Sequence, residues 1–143
     1  SDQYYTQVGL TCIRVAVGLI FMIHGWGKLS GGVATWQWMG SQMAHLGINF
    51  LPTFWGFLAM LAEFGGGLCL VLGLGTRFVS LALAFVMIVA MSYHITKGDT
   101  FNDVWSHAFT LLFIFIGLFI AGSGIYSLDN YLYTKKSEIN IKK

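Results

Sequence analysis

Charge is the scarcest property of this sequence: Asp, Glu, Lys and Arg together supply 10% of its 143 residues, where soluble domains carry roughly 25%. With 56% hydrophobic residues beside them, an ordinary water-soluble domain is excluded. Cysteine occurs twice, and Cys12 and Cys69 both lie inside apolar runs without forming a CxxC pair. Disulfide exchange by this chain alone therefore loses its basis, and each thiol reads as a small buried hydrophobe. Proline occurs once, at Pro52, where it is well placed to open a helix. No phosphate-binding loop, GxGxxG fingerprint or nucleophile elbow is present, which argues against nucleotide hydrolysis and NAD binding. The glycine-rich run GGGLCLVLGLG reads as transmembrane small-residue packing, and no nucleic-acid partner is expected.

What the chain has instead is apolar length. Stretches at about 8–29, 52–74, 78–96 and 105–123 each approach the ~20 residues that a spanning helix needs. They predict an all-α, polytopic membrane protein: one domain over 1–143, built as an antiparallel four-helix bundle. No cleavable secretory signal is expected, because the first stretch is too long and SDQYYTQ before it is not basic. Arg77, Lys135, Lys136, Lys142 and Lys143 would share one side, against Lys28 and Lys97 on the other. Both termini are therefore expected in the cytoplasm. All five Trp then fall toward the outer face and five of six Tyr toward the inner one, which gives each interface an aromatic belt. Between the first two spans, Val33, Trp36, Trp38, Met39, Met43 and Leu46 recur at near-helical spacing. They predict a short amphipathic helix in the outer interface, placed to roof the bundle.

Glu63 stands near the centre of the second span, where a charge costs at least ~2.5 kcal/mol and needs a partner. At ~100° per residue it shares a stripe with Gly56, Ala59, Gly66 and Gly67, while Arg14, Gly18, Phe21, Gly25 and Lys28 share a face of the first helix. An ion pair between Arg14 and Glu63 is the expectation, with a depth mismatch near ~7 Å for the long Arg side chain to bridge. Such a pair can fix helix register or tune a titratable acid. His24, His45, His94 and His107 all fall in the outer half. They could bind a metal or haem, relay protons or hydrogen-bond a quinone carbonyl, but no HxxxH or HxH spacing occurs and no metal site is assigned. Met87, Met91 and His94 share a face, which reads as ordinary packing. Asp99 and Asp103 read as solvated turn residues.

Arg14, HGWGKL at 24–29, EFGGGLCLVLGLGTR at 63–77 and GSGIYSLD at 122–129 together make the sequence similar to the DoxX family, over essentially all four spans. That resemblance implies a four-helix protein of the bacterial inner membrane, with some relatives serving as membrane subunits of thiosulfate:quinone oxidoreductase or of assemblies coupling thiol and oxidative-stress chemistry to the membrane. The expected function is a membrane subunit of a quinone-linked redox assembly, with protein partner subunits or a homo-oligomer supplying what the chain lacks. Glu63 and His24 would handle protons, Arg14 and Lys28 would support charge, and His94, His107, Trp26 and Trp36 would hold the quinone. The competing expectation is a non-catalytic scaffold that docks larger proteins. Arg77, also in the pattern, is already explained as a topology signal.

Overall fold

The computed structural model describes residues 1–142; Lys143, counted above among the cytoplasmic cations, lies outside them. The described chain is helical, without a strand: α1 (Asp2–Ser41), a 3-10 turn (Gln42–Leu46), α2 (Pro52–Leu72), α3 (Thr76–Lys97), a π turn (Phe101–Trp105), α4 (Ser106–Ala121) and α5 (Leu128–Ile141). Four of these segments are long and apolar enough to cross a membrane. Their outer surfaces expose residues such as Phe78, Ile23 and Ile120, which would be a liability in water and is the ordinary state of a face meeting lipid. The protein is a multi-pass membrane protein.

Small residues bring α1 and α2 into backbone contact. A Cβ added to Gly18 would lie 2.6 Å from the Gly67 carbonyl oxygen, and one added to Gly67 would lie 2.6 Å from that of Gly18. A Cβ on Gly25 would meet the Phe64 backbone nitrogen at 2.5 Å. In a bilayer this close approach supplies the dispersion contact that the hydrophobic effect cannot. Around this seam the core is Val17, Phe21, Leu70, Leu83, Leu111 and Phe115. Phe21 and Phe115 meet edge to face at 5.2 Å and join α1 to α4, while α3 packs on both α2 and α4.

The first span does not stop near Leu29. Helical hydrogen bonding carries on to Ser41, interrupted at Gly32, whose φ of 70° and ψ of −161° only glycine adopts readily. Beyond that kink the segment stays on the bundle, because a Cβ on Gly40 would strike the Pro52 carbonyl and one on Gly56 would strike the Trp36 carbonyl. The amphipathic 33–46 stretch is thus a bent continuation of α1, crossing the start of α2 to reach α3. It closes one end of the bundle, here the roofed end. At the opposite, terminal end lie the start of α1, the α2–α3 turn and the start of α5.

A further helix, α5, lies beyond the four expected spans. Ser127 starts it by accepting the Asn130 amide at 3.2 Å, and Asp129 in its first turn suits the helix dipole. The run reads as a polar tail in sequence because its composition cannot sustain a span.

Candidate functional site

The polar residues of the sequence pattern separate into two groups at opposite ends of the bundle. At the terminal end Arg14 is 1% exposed, and its Nη2 donates to the Tyr126 carbonyl at 2.6 Å. A Cβ on Gly73 would strike Arg14 Nη1, so the guanidinium occupies the space this glycine leaves. Asp129 adds a nearby opposite charge. Its carboxylate also accepts the Gly75 amide at 2.9 Å and the Thr76 amide at 3.5 Å, capping α3. Arg77 donates to the Ile120 carbonyl at 3.3 Å, and Gln7 Oε1 accepts the Ile125 amide at 3.0 Å. The closing GSGIYSLD segment is therefore a clasp that ties the ends of α1, α3 and α4 together.

The expected Arg14–Glu63 pair does not form. Glu63 is instead bound by Lys28, whose Nζ lies 2.5 Å from both carboxylate oxygens. Helix register explains the correction. Contacts between Gly25 and Phe64 set Glu63 near the level of residue 25, about eleven residues or ~16 Å above Arg14. Lys28 stands about one turn beyond that level, within reach of a lysine side chain. Apolar length places the first span at about 8–29, whereas α1 runs from Asp2 to Ser41, so depth counted from the ends of the apolar run misplaces Arg14. Glu63 is buried and Lys28 half-buried, so the two charges compensate each other where neither could remain alone.

This pair lies on the wall of a 450 Å³ cavity. Its floor is the crossing of α2 and α3, where a Cβ on Gly66 would meet Val79 at 3.1 Å and Leu83 at 3.5 Å. Above that crossing the facing residues are Ala59, Ala62, Ala82 and Val86, too small to fill the space between the helices. Trp38, Met39, Gln42 and Met43 of the bent segment roof it. Leu58 and Phe85 line the cavity and are also exposed on the bundle surface, so the cavity reaches the face between α2 and α3. A mostly apolar chamber of this size with a few convergent polar groups is the ordinary form of a small-molecule site.

At the roofed end the aromatic side chains interlock. Trp38 and Tyr93 meet edge to face at 5.8 Å, Tyr93 and His94 at 5.0 Å, and His45 lies 6.0 Å from Tyr93. His94 Nδ1 lies 2.7 Å from Asp99 Oδ2, and Lys97 Nζ lies 4.0 Å from the same oxygen. Chain reversal at Gly98, with φ of 85°, lets the Asp99 amide donate to the His94 carbonyl at 3.0 Å and folds the acid back over the ring.

Of the residues given a catalytic or quinone-holding role from sequence, the structure brings Lys28, Glu63 and His94 to the cavity and leaves the others outside it. Arg14 belongs to the terminal clasp. His24 is exposed and packs near Phe21, and His107 is exposed on α4. Trp26 is exposed against Phe64. Trp36 packs on Phe57 and donates from Nε1 to the Lys28 carbonyl at 3.1 Å, supporting the helix that carries the lysine. The outer histidines and tryptophans thus do not form one cluster. Among the described residues no three of His, Cys, Asp and Glu come together as metal ligands. Trp38, Trp55, Tyr93 and Asp99 are the site residues that sequence reasoning missed. The GD after His94 was the available signal for Asp99, since a C-cap glycine turns the next residue back onto the last turn.

The DoxX family model matches residues 9–96, a stretch that includes the Lys28–Glu63 pair and His94. The chain is 33% identical over 131 residues to "Inner membrane protein YqjF" of Escherichia coli (strain K12), covering 90% of this chain and 95% of the relative. It is 30% identical over 135 residues to "Putative oxidoreductase CatD" of Bacillus subtilis (strain 168), covering 94% of this chain and 95% of that protein. No solved structure matches the chain. With a family match over more than half its length and two relatives aligned almost end to end, the chain belongs to the DoxX family.

Proposed function

We propose that this protein is the membrane subunit of a redox assembly and that its cavity binds a lipid-soluble quinone. The observation that carries this reading is an apolar 450 Å³ chamber that reaches the lipid-facing surface between α2 and α3 and has ionisable groups on its walls. A hydrophobic ring and tail suit the alanine, valine and phenylalanine walls. Lys28–Glu63 and His94 supply the charge and proton-bonding groups that an otherwise greasy pocket would not keep. The name of the Bacillus relative, "Putative oxidoreductase CatD", points the same way. Reduction of a quinone to its quinol takes two electrons and two protons. The chain has no cysteine pair to supply the electrons, so a redox-active partner protein exchanges them while the cavity positions the ring. The protein would sit in a bacterial inner membrane with both termini in the cytoplasm.

A scaffold reading rests on a different observation: Lys28 and Glu63 satisfy each other, and a closed pair can serve register alone. Titration with menadione in detergent separates the two, read by quenching of tryptophan fluorescence from Trp38 and Trp55 on the cavity wall. Saturable quenching that is lost in Ala59→Phe, which fills the chamber, supports the redox reading. Quenching identical in the filled variant leaves the scaffold as the better account.

A further inference from the structure

The cavity has polar groups at two depths, with partners at one and an unpartnered donor at the other. Glu63 lies about three residues, or ~4.5 Å, above the Gly66 crossing that forms the floor. Trp55 lies about eleven residues, or ~16 Å, above Gly66 on α2, and His94 lies about eleven to fifteen residues, or ~16–22 Å, above Leu83 and Val79, which meet Gly66 on α3, so both line the upper part of the cavity. The two polar levels are therefore separated by at least ~12 Å, more than one quinone ring spans.

At the lower level both carboxylate oxygens of Glu63 are taken by Lys28. At the upper level the bonding is open. Trp55 Nε1 is buried without a hydrogen-bond partner among the described residues, although Trp55 lines the cavity. A buried N–H in that state costs free energy that an acceptor would recover. His94 also lines the cavity, and its Nδ1 lies 2.7 Å from Asp99 Oδ2; whenever the ring is neutral, that carboxylate draws the ring proton to Nδ1 and leaves Nε2 with a lone pair. Asp99 is itself held in place, since Trp105 Nε1 donates to its carbonyl at 3.2 Å and its amide bonds back to His94. The charged and titratable groups around the ring are Asp99, Lys97, His45 and Tyr93, with Lys28 and Glu63 deeper in the chamber.

We infer that the upper level is the head-group subsite. One oxygen of a quinone accepts from the Trp55 indole N–H, and when that ligand is the quinol, a hydroxyl donates to His94 Nε2. The apolar tail runs down past Ala62 and Phe85 and out between α2 and α3. Asp99 acts through His94 as a positioning residue: it fixes the tautomer that can accept a ligand proton. This assignment rests on the quinone reading of the cavity and specifies which of its ends takes the ring.

Two measurements test it. Nitrogen-15 shifts of His94 in the ligand-free protein should report the Nδ1–H tautomer, and Asp99→Asn should shift the ring toward the other tautomer. Menadione affinity, measured by calorimetry so that tryptophan replacement does not disturb the readout, should fall about tenfold in Trp55→Phe, the loss of one hydrogen bond. Menadiol affinity under anaerobic conditions should fall in His94→Gln and Asp99→Asn by a similar factor, with menadione affinity changed less. If the wild type binds neither form, the quinone reading itself fails. If it binds menadione, Trp55→Phe binds equally well and a paired Lys28→Met, Glu63→Leu variant does not bind, the head group belongs at the floor and this assignment is overturned. Folding of each variant is checked by its thermal transition in detergent.

Discussion

Lys28 and Glu63, on neighbouring antiparallel helices, meet with one ammonium equidistant from two carboxylate oxygens at 2.5 Å. Neither residue could stand alone at this depth. Removing one partner strands the other charge, at a cost of about 3–5 kcal/mol. Lys28→Met and Glu63→Leu are each expected to lower the thermal transition sharply in detergent. The double variant should recover most of the loss, because an apolar pair needs no compensation. Failure of the double variant to recover would place other groups in the network.

Two glycines of one run, Gly67 and Gly65, should respond differently to the same change. Gly67→Ala drives a methyl into the Gly18 carbonyl and the Met22 amide, whereas a Cβ at Gly65 would meet Leu61 at an ordinary 3.7 Å. The first should destabilise by about 1–3 kcal/mol as α1 and α2 are forced apart. The second should be neutral or stabilise by up to about 1 kcal/mol through helix propensity. Thermal unfolding of the two variants side by side checks the contrast.

Bending at Gly32 holds the roof. Its backbone lies in a region that costs other residues about 1–3 kcal/mol, so Gly32→Ala should straighten α1 and draw Trp38 and Met43 off the cavity. The edge-to-face contact of Trp38 with Tyr93 at 5.8 Å should then be lost, and acrylamide quenching of tryptophan fluorescence should rise in Gly32→Ala relative to the wild type.

The terminal clasp is independent of the cavity. Arg14→Lys keeps the charge but cannot reproduce the planar guanidinium that fills the space beside Gly73. We expect a loss of about 2–3 kcal/mol in stability, the worth of a charged hydrogen bond and its packing. Menadione affinity of the folded fraction should be unchanged. A fall in affinity at constant folded fraction would couple the two ends.

Much of the framework was legible because helix period and span length leave few alternatives. The buried faces of α1 and α2 follow from the spacing of Arg14, Gly18, Phe21 and Gly25 and of Gly56, Glu63, Gly66 and Gly67, all of which are buried. The partner of Glu63 was not legible. Helix faces come from rotation, but partners come from axial register, and that register is set by glycine contacts and by a first helix longer than its apolar run. The site residues were hidden for a related reason. Trp38 reaches the cavity because Gly32 bends α1 back over α2, and Asp99 reaches His94 because Gly98 reverses the chain. Neither reversal has a periodic signature. Histidines at similar depth on different helices point in different directions, so their shared level did not make a cluster.

The proposed function has the chamber between α2 and α3 hold a quinone taken from the bilayer. Its most direct test is the quinone-to-phospholipid ratio of protein purified in mild detergent, measured by mass spectrometry and compared with that of the parent membrane. Enrichment of quinone several-fold over the membrane, abolished in the Ala59→Phe variant, is the result this account expects. A ratio equal to that of the membrane in both proteins would contradict it.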